Sequence, residues 1–295
     1  MPVDQISHDP WAQWLLHGRH GDDNEYLRVV REMIEPFRDR LLRNARIEEG
    51  NTVLDIGSGD GLVALAALKR VGPQGRVLFS DISTELLDYC ARLVKENGDS
   101  ERCRFIRASA DDLGVVADES VDVVTERAVL CYVRDKARAL KEFFRVLRRG
   151  GRLSIFELVA RFGHPAPPHL FWGYDVTPVL DLATKVRAVY GRIQPVEVDP
   201  FGDYDERQLF ALVEQTGFGE IHLQYEAEVA PTPPRSWESL LKAAPNPVVP
   251  TLGEAIETAL EREEAARFAE HLRPLVEQVR GIHRFAHAYI WAVKS

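Results

Sequence analysis

A carboxylate followed by three closely spaced glycines is the stretch of this sequence best suited to bind a ligand. Asp55 lies in an apolar run, and Gly57, Gly59 and Gly61 follow it at alternate positions. Glycine has no Cβ, so it permits a sharp turn and lets a ligand approach the backbone. The free N–H groups at the start of a following helix would face this turn. The pattern predicts a site for a nucleoside-bearing ligand at the carboxyl end of a strand.

A second carboxylate, Asp81, ends the next apolar run, 20 positions after Gly61. A carboxylate at this place can accept hydrogen bonds from both hydroxyls of a ribose. The alternative is a simple helix cap. Glu126 and Arg127 follow a later apolar run, and we expect them to bind the cofactor or the substrate because strand ends face the ligand crevice. The alternative is that these two side chains merely pair with one another.

Three residues further along the chain could remove a proton from a substrate. His169 is the first choice, since the pKa of histidine suits proton transfer near neutrality. Glu157 ends a predicted strand, and Tyr174 belongs to a segment rich in proline and aromatic residues. Each also has a plain structural interpretation, as a surface histidine, a buried carboxylate and a packing tyrosine.

Strands and helices alternate along the chain and would position these groups. Apolar runs predict strands at 52–56, 76–81, 103–107, 121–125 and 152–158, with helices at 62–71, 83–97 and 134–149 between them. This alternation indicates a parallel α/β sheet with right-handed crossovers. Further helices are predicted at 175–190 and 205–216, and two last strands at 220–229 and 282–293.

The predicted fold is α/β, a Rossmann-like, seven-stranded and mostly parallel sheet whose last strand is antiparallel. Residues 1–48 would form an N-terminal helical extension. Residues 49–230 and 281–295 would form the core, with an insertion at 160–202, and residues 231–280 a helical cap insertion. We expect these parts outside the sheet to wall an acceptor pocket through large aromatic side chains, namely Trp11, Trp14, Phe171, Trp172 and Tyr174.

Composition excludes several classes of protein. The chain has 295 residues and a formal net charge of −9. Nucleic acids and anionic membranes both attract a basic face, so neither is an expected partner. No apolar run approaches the roughly 18 residues of a membrane span, and the polar N-terminus is not a signal peptide. Three cysteines without C-x-x-C spacing indicate a reducing cytoplasm and no structural metal. The helical extensions could build a homodimer.

The glycine spacing distinguishes two cofactor classes. The dinucleotide fingerprint is G-x-G-x-x-G, but here the pattern is G-x-G-x-G, and Leu62 occupies the place of the fingerprint's third glycine. With Asp55 two positions before the first glycine, the stretch resembles motif I of the class I S-adenosylmethionine-dependent methyltransferases. The nearest group is the small-molecule enzymes similar to ubiquinone/menaquinone and arsenite methyltransferases. The antiparallel final strands also resemble this family.

The resemblance implies S-adenosylmethionine as cofactor, with no metal. In relatives an acidic and a small residue after the third strand lie near the adenine, which here implies Ala110 and Asp111, although Ser109 stands where an aspartate is common. The implied cofactor-binding set is Asp55, Gly57, Ser58, Gly59, Gly61, Asp81, Ile82, Ala110, Asp111, Glu126 and Arg127.

The expected reaction is in-line transfer of the cofactor's methyl group to a small organic acceptor, planar or apolar in character. Two alternatives stay open from the sequence. One is an NAD-dependent oxidoreductase. The other is a non-catalytic scaffold or sensor that binds S-adenosylmethionine.

Overall fold

A seven-stranded sheet forms the centre of the computed structural model, which describes residues 9–195 and 199–295. The strand order is β3-β2-β1-β4-β5-β9-β8. Neighbours from β3 to β5 are parallel, whereas β9 is antiparallel to both β5 and β8. The predicted mostly parallel sheet with an antiparallel last strand is therefore confirmed. The strands are β1 Thr52–Ile56, β2 Arg76–Asp81, β3 Cys103–Arg107, β4 Val121–Arg127, β5 Leu147–Leu158, β8 Gly219–Pro231 and β9 Ile282–Val293.

Helices cover both faces of the sheet, and this explains why the sequence of β1 is mostly apolar. Successive side chains of a strand point to opposite faces. Val53 belongs to the apolar cluster on one face and Leu54 to the cluster on the other, and neither is exposed to solvent. A strand buried on both faces reads as a continuous apolar run. Asp55, in the same strand, is therefore a carboxylate in an apolar layer.

The described helices are α1 Pro10–Gln13, α2 Asn24–Asn44, α3 Ala64–Arg70, α4 Thr84–Glu96, α5 Lys136–Val146, α6 Leu180–Ile193, α7 Glu206–Thr216, α8 Trp237–Leu241, α9 Leu252–Ala259 and α10 Arg262–Glu277. Trp14–Gly18 continues α1 as a π-helix. None of these helices is both long and apolar enough to cross a membrane.

Two predicted helix boundaries are wrong. The helix predicted at 134–149 is α5, which ends at Val146, and β5 begins at Leu147 with an irregular register before Arg152. The helix predicted at 175–190 begins only at Leu180. Residues before it form a small hairpin of β6 Leu170–Phe171 and β7 Tyr174–Asp175. Gly173, with φ +87°, provides its turn, a conformation that glycine adopts without strain.

A second apolar core lies outside the sheet. Helices α6, α8, α9 and α10 pack with the β6–β7 hairpin around Phe268, which is fully buried. The N-terminal segment is hydrogen-bonded to this part of the chain, since Ala244 N donates to Gly18 O over 3.0 Å. The division into an extension, a core and a cap stays a prediction, and the first eight residues of the predicted extension and residues 196–198 of the insertion lie outside the described range.

Candidate functional site

The glycine turn lies between β1 and α3 and requires its glycines. Gly57, Gly59 and Gly61 have φ values of +61°, +54° and +83°, a region that other residues rarely adopt. A Cβ on Gly57 would lie 2.3 Å from Cγ2 of Val129. Ser58 closes the turn, because its N–H donates to Ser80 O over 2.9 Å. The turn is therefore a compact cradle that a bulkier chain could not form.

Asp81 ties the turn to the end of β2. One carboxylate oxygen accepts from Gly59 N and the other from Ser83 N, both over 2.9 Å. A carboxylate has about four lone-pair positions, so each oxygen can accept a further bond. Burial raises the pKa of Asp81, and its carboxylate lines the cavity described below. Leu86 N donates to Oγ of Ser83 over 3.1 Å. The N-cap of α4 is therefore Ser83, and not Asp81.

Asp55 lies beneath the turn, between β2 and β4. Its side chain is 2% exposed and accepts a 2.7 Å hydrogen bond from Oγ1 of Thr125. Burial raises the pKa of Asp55 to about 7, the Thr125 bond opposing this rise. The carboxyl group therefore changes its protonation state near neutrality.

A cavity of about 430 Å³ opens above the turn, within the range of small-molecule sites. It brings together most of the predicted cofactor residues. Those that line it are Asp55, Gly57, Ser58, Gly59, Asp81, Ile82, Ala110, Asp111 and Arg127. Two predicted cofactor residues, Gly61 and Glu126, do not line it.

The end of β3 contributes Ala110 and Asp111 to this cavity. Ser109, which stands where relatives have an acidic residue, donates a short hydrogen bond to the carboxylate of Asp111. Asp112 N bonds to Ser109 O over 3.0 Å and closes a tight loop. Asp111 is therefore held in place by the residue that departs from the family pattern.

Glu126 and Arg127 do not pair with one another in the described structure. Glu126 is fully buried and accepts backbone bonds from Val129 and Leu130. Glu157 accepts from the same two N–H groups, over 2.8 and 2.6 Å. Burial and the adjacent Glu157 carboxylate raise the pKa of Glu126. The two glutamates thus hold the loop after β4, whereas Arg127 reaches the cavity.

None of the three predicted proton acceptors lines the cavity. Glu157 lies below the loop, where it also accepts a 2.8 Å bond from Oη of Tyr204. Tyr174 is 2% exposed and packs in the apolar core around Phe268. His169 is exposed on the segment before the β6–β7 hairpin. Instead, His20 lines the cavity. It could not be identified from the sequence, because it reaches the cavity only when the N-terminal segment packs against the sheet.

Aromatic side chains form the wall opposite the turn. Trp11 and Trp14 line the cavity, as expected, and both meet Tyr132 edge to face, with ring centroids 5.1 and 6.4 Å away. The other three aromatic residues predicted for this wall do not line it, because they pack in the core around Phe268; they are Phe171, Trp172 and Tyr174. Tyr132, which the sequence interpretation missed, follows directly after the loop that the two glutamates hold.

Known proteins resemble this chain most clearly over the sheet. Residues 54–155 match the family described as "Methyltransferase domain". A ubiquinone/menaquinone biosynthesis C-methyltransferase UbiE from Hahella chejuensis is 36% identical over 130 residues, 44% of this chain and 50% of that protein. An arsenite methyltransferase from Halobacterium salinarum is 38% identical over 115 residues, 39% of this chain and 29% of that protein. The chain thus spans half or less of these two relatives.

The crystal structure of the YcgJ protein from Bacillus subtilis has the same fold, with a TM-score of 0.53 at 18% identity, covering 87% of this chain and 97% of that one. The glycine cradle and the free lone pairs of Asp81 fit a ribose-bearing cofactor, and the G-x-G-x-G spacing with an antiparallel last strand does not fit the dinucleotide alternative. Residues 54–155 of this chain therefore match a methyltransferase domain, and the sheet that contains them has the fold of that solved structure.

Proposed function

We propose that the chain is a methyltransferase that moves a methyl group from S-adenosylmethionine to a small organic acceptor. The observation that carries this proposal is that one cavity joins the glycine turn and Asp81 to an aromatic wall. The turn and the carboxylate suit the cofactor, whereas Trp11, Trp14 and Tyr132 suit a planar or apolar body. Both substrates of the reaction would then meet in one enclosed space.

Each part of the cofactor has a candidate partner in this proposal. Asp81 would accept hydrogen bonds from the ribose hydroxyls. Ile82, Ala110 and Asp111, which follow β2 and β3, would hold the adenine. The glycine turn and Arg127 would hold the methionine end. Asp55, Ser58 and Gly61 shape the turn, and Glu126 acts indirectly by holding the loop that carries Val129.

The bound cofactor supplies an activated methyl group on its sulfonium sulfur. The protein's own contribution is to orient the acceptor in line with that methyl and to exclude water. The N-terminal segment suits both tasks, because Leu15 reaches to 2.9 Å from the place a Cβ on Gly59 would take. The proposal gives His169, Glu157 and Tyr174 no part in proton removal, since none of them lines the cavity.

Calorimetric titration with S-adenosylhomocysteine, the demethylated product, tests the cofactor site. Gly59→Arg puts a side chain into the cradle, at φ +54° and against Leu15, and should abolish the binding heat. Gly191→Arg is the matched control, because Gly191 lies in α6 with nothing within 4 Å of a Cβ. The control should bind as the unaltered protein does.

Absence of any binding heat with the unaltered protein would contradict the proposal. Binding of S-adenosylhomocysteine together with a filled or closed acceptor cavity would instead favour the scaffold or sensor alternative. Circular dichroism of both glycine variants shows whether they are folded.

We also propose a reducing compartment, the cytoplasm, as the place of action. Cys90, Cys103 and Cys131 are all free thiols, and two of them are buried. Burial raises the pKa of Cys90 and Cys131, which disfavours the reactive thiolate. These features support the proposal because disulfides are rare where thiols are kept reduced. A homodimer stays a prediction.

A further inference from the structure

Four arginines line the cavity. Arg19 comes from the N-terminal segment, Arg31 from α2, Arg127 from the end of β4 and Arg134 from the loop before α5. The carboxylates that line the cavity belong to the strand ends and the glycine turn. The guanidinium of Arg19 is the one that lies beside the aromatic wall, 5.4 Å from the centroid of the Trp14 ring.

The guanidinium of Arg127 has a buried donor without a hydrogen-bond acceptor among the described residues. Its Nε is buried, and no acceptor among the described residues lies within hydrogen-bond distance of it. The guanidinium lies 6.0 Å from the centroid of the Phe156 ring. Burial lowers the pKa of Arg127 to about 10, and the second cause is the nearby charge of Arg19. A buried cation without a partner is costly, so the site favours an incoming anion.

Arg19 has no carboxylate partner either. No Asp or Glu oxygen within the described ranges lies within 4.0 Å of its guanidinium, which is 5.4 Å from the centroid of the Trp14 ring. Within the described ranges Arg31 has a distant partner, Asp60, at 3.9 Å. Apart from the exposed Arg134, the lining arginines without a carboxylate partner among the described residues are Arg19 and Arg127.

The pKa of His20 is also affected by the arginines around the cavity. Burial, together with the smaller effect of the charges of Arg19, Arg235 and Arg31, lowers its pKa to about 4. Its ring is next to Tyr26, with centroids 6.1 Å apart. His20 is therefore neutral at pH 7, and a ligand in the cavity meets arginine charge with no imidazolium.

The cofactor cannot satisfy both arginines. S-adenosylmethionine carries an ammonium, a sulfonium and one carboxylate, so it brings a net positive charge into the cavity. Its carboxylate can neutralise one guanidinium, and Arg127, nearest the glycine turn in the proposed arrangement, is the candidate. Arg19, beside the aromatic wall, is then left for the second substrate.

We propose that the methyl acceptor is an anion, a planar or apolar compound bearing a carboxylate that Arg19 binds. Trp11, Trp14 and Tyr132 contact its apolar body, while the guanidinium of Arg19 fixes its orientation through charge-assisted hydrogen bonds. This inference rests on the proposed function and specifies the class of substrate for the same site.

The test measures binding of two probes to the protein saturated with S-adenosylhomocysteine. The probes are 2-naphthoate and 2-naphthamide, which share a ring system and differ in charge. The unaltered protein should prefer the carboxylate. Arg19→Gln should weaken 2-naphthoate about tenfold or more, since hydrogen bonds to charged groups contribute about 1.5–3 kcal/mol, and leave 2-naphthamide within about twofold.

Arg28→Gln is the control, because Arg28 is an exposed residue of α2 that does not line the cavity. It should change neither probe. Equal affinity of the two probes, or no binding of 2-naphthoate up to about 10 mM, would overturn the inference.

A second arm separates the two carboxylates that Arg19 could bind. 5′-Methylthioadenosine lacks the amino-acid end of the cofactor. If Arg19→Gln weakens S-adenosylhomocysteine tenfold but leaves 5′-methylthioadenosine unchanged, Arg19 binds the cofactor's carboxylate, and the inference is wrong. Failure of the unaltered protein to bind S-adenosylhomocysteine would contradict the proposed function itself, so the two failures are distinguishable.

Discussion

Asp55 is a carboxylate that the fold keeps in an apolar layer. It lies in the central strand β1, accepts a hydrogen bond from Oγ1 of Thr125, and burial raises its pKa from 3.8 to about 7. In the unfolded chain the same group ionises near its ordinary pKa. Between these two values the folded protein holds about one proton more than the unfolded chain does, so stability falls as the pH rises.

The variant Asp55→Asn should isolate this effect. Its amide does not titrate, so the free energy of unfolding of the unaltered protein, relative to the variant, should fall by about 1.4 kcal/mol between about pH 5 and pH 6. The difference should level off above the folded pKa, where both states are ionised. Urea unfolding at several pH values measures it.

Subtracting the variant removes the contributions of other titrating groups, provided that the substitution does not shift them. A difference that stays constant across this pH range would show that Asp55 is ionised in the folded protein throughout. That outcome would mean that Thr125 and its surroundings stabilise the charge more than burial penalises it.

The N-terminal segment from Pro10 to Gly18 is the element that converts an open strand edge into a cavity. Trp14, in the middle of this segment, anchors it, because its Nε1 donates to Ala244 O over 2.9 Å. On the other side Trp14 packs edge to face with Trp11 and Tyr132. The indole therefore joins the segment to the chain after α8 and to the loop after β4.

Trp14→Ala should loosen this cover and speed release of S-adenosylhomocysteine. The contact with Tyr132 and the hydrogen bond to Ala244 O contribute about 0.5–1.5 kcal/mol each, which corresponds to roughly a tenfold faster dissociation. Stopped-flow displacement measures the rate. Trp291→Ala serves as the control, because that indole stacks on His222 in the outer part of the sheet, with ring centroids 5.0 Å apart. Equal acceleration in both variants would contradict a covering role for the segment.

At the scale of the whole molecule, the apolar core of the sheet and the apolar core around Phe268 lie at different distances along the chain from the cofactor site. The core of the sheet contains Phe79, which lies in β2 two residues before Asp81. Its ring is fully buried. The other core contains Phe268 of α10, equally buried, which packs against Phe171 with ring centroids 5.9 Å apart. Phe79 is therefore two residues from Asp81 of the cofactor site, whereas Phe268 belongs to a core outside the sheet.

Phe79→Ala and Phe268→Ala form a matched pair. Each should lower the free energy of unfolding by about 3–5 kcal/mol, because each leaves a cavity in a packed core. At a temperature where both remain folded, Phe79→Ala should weaken S-adenosylhomocysteine binding, while Phe268→Ala should leave it within about twofold. Calorimetry at that temperature compares them. Equal weakening would show that the outer core is coupled to the cofactor site.

The site could be predicted from the sequence where it depends on residues close in the chain. The glycine spacing and Asp55 indicated the turn, and Asp81 could be assigned because it ends the second predicted strand, and strand ends in this fold face the ligand crevice. His169 and Tyr174 could not be judged in this way. Whether a histidine or tyrosine faces a cavity depends on packing between distant segments, and the core around Phe268 takes Tyr174 while His169 stays at the surface.

By itself the sequence determined the sheet, its antiparallel last strand and the cofactor class, because strand periodicity and glycine φ values are local properties of the backbone. Only the tertiary structure decided which side chains line the cavity. Arg19 and His20 lie far from Arg127 and Tyr132 in the chain, and they line one cavity because the N-terminal segment packs over the glycine turn. Contacts of such separation leave no periodic pattern in the sequence, and the specificity of the site depends on them.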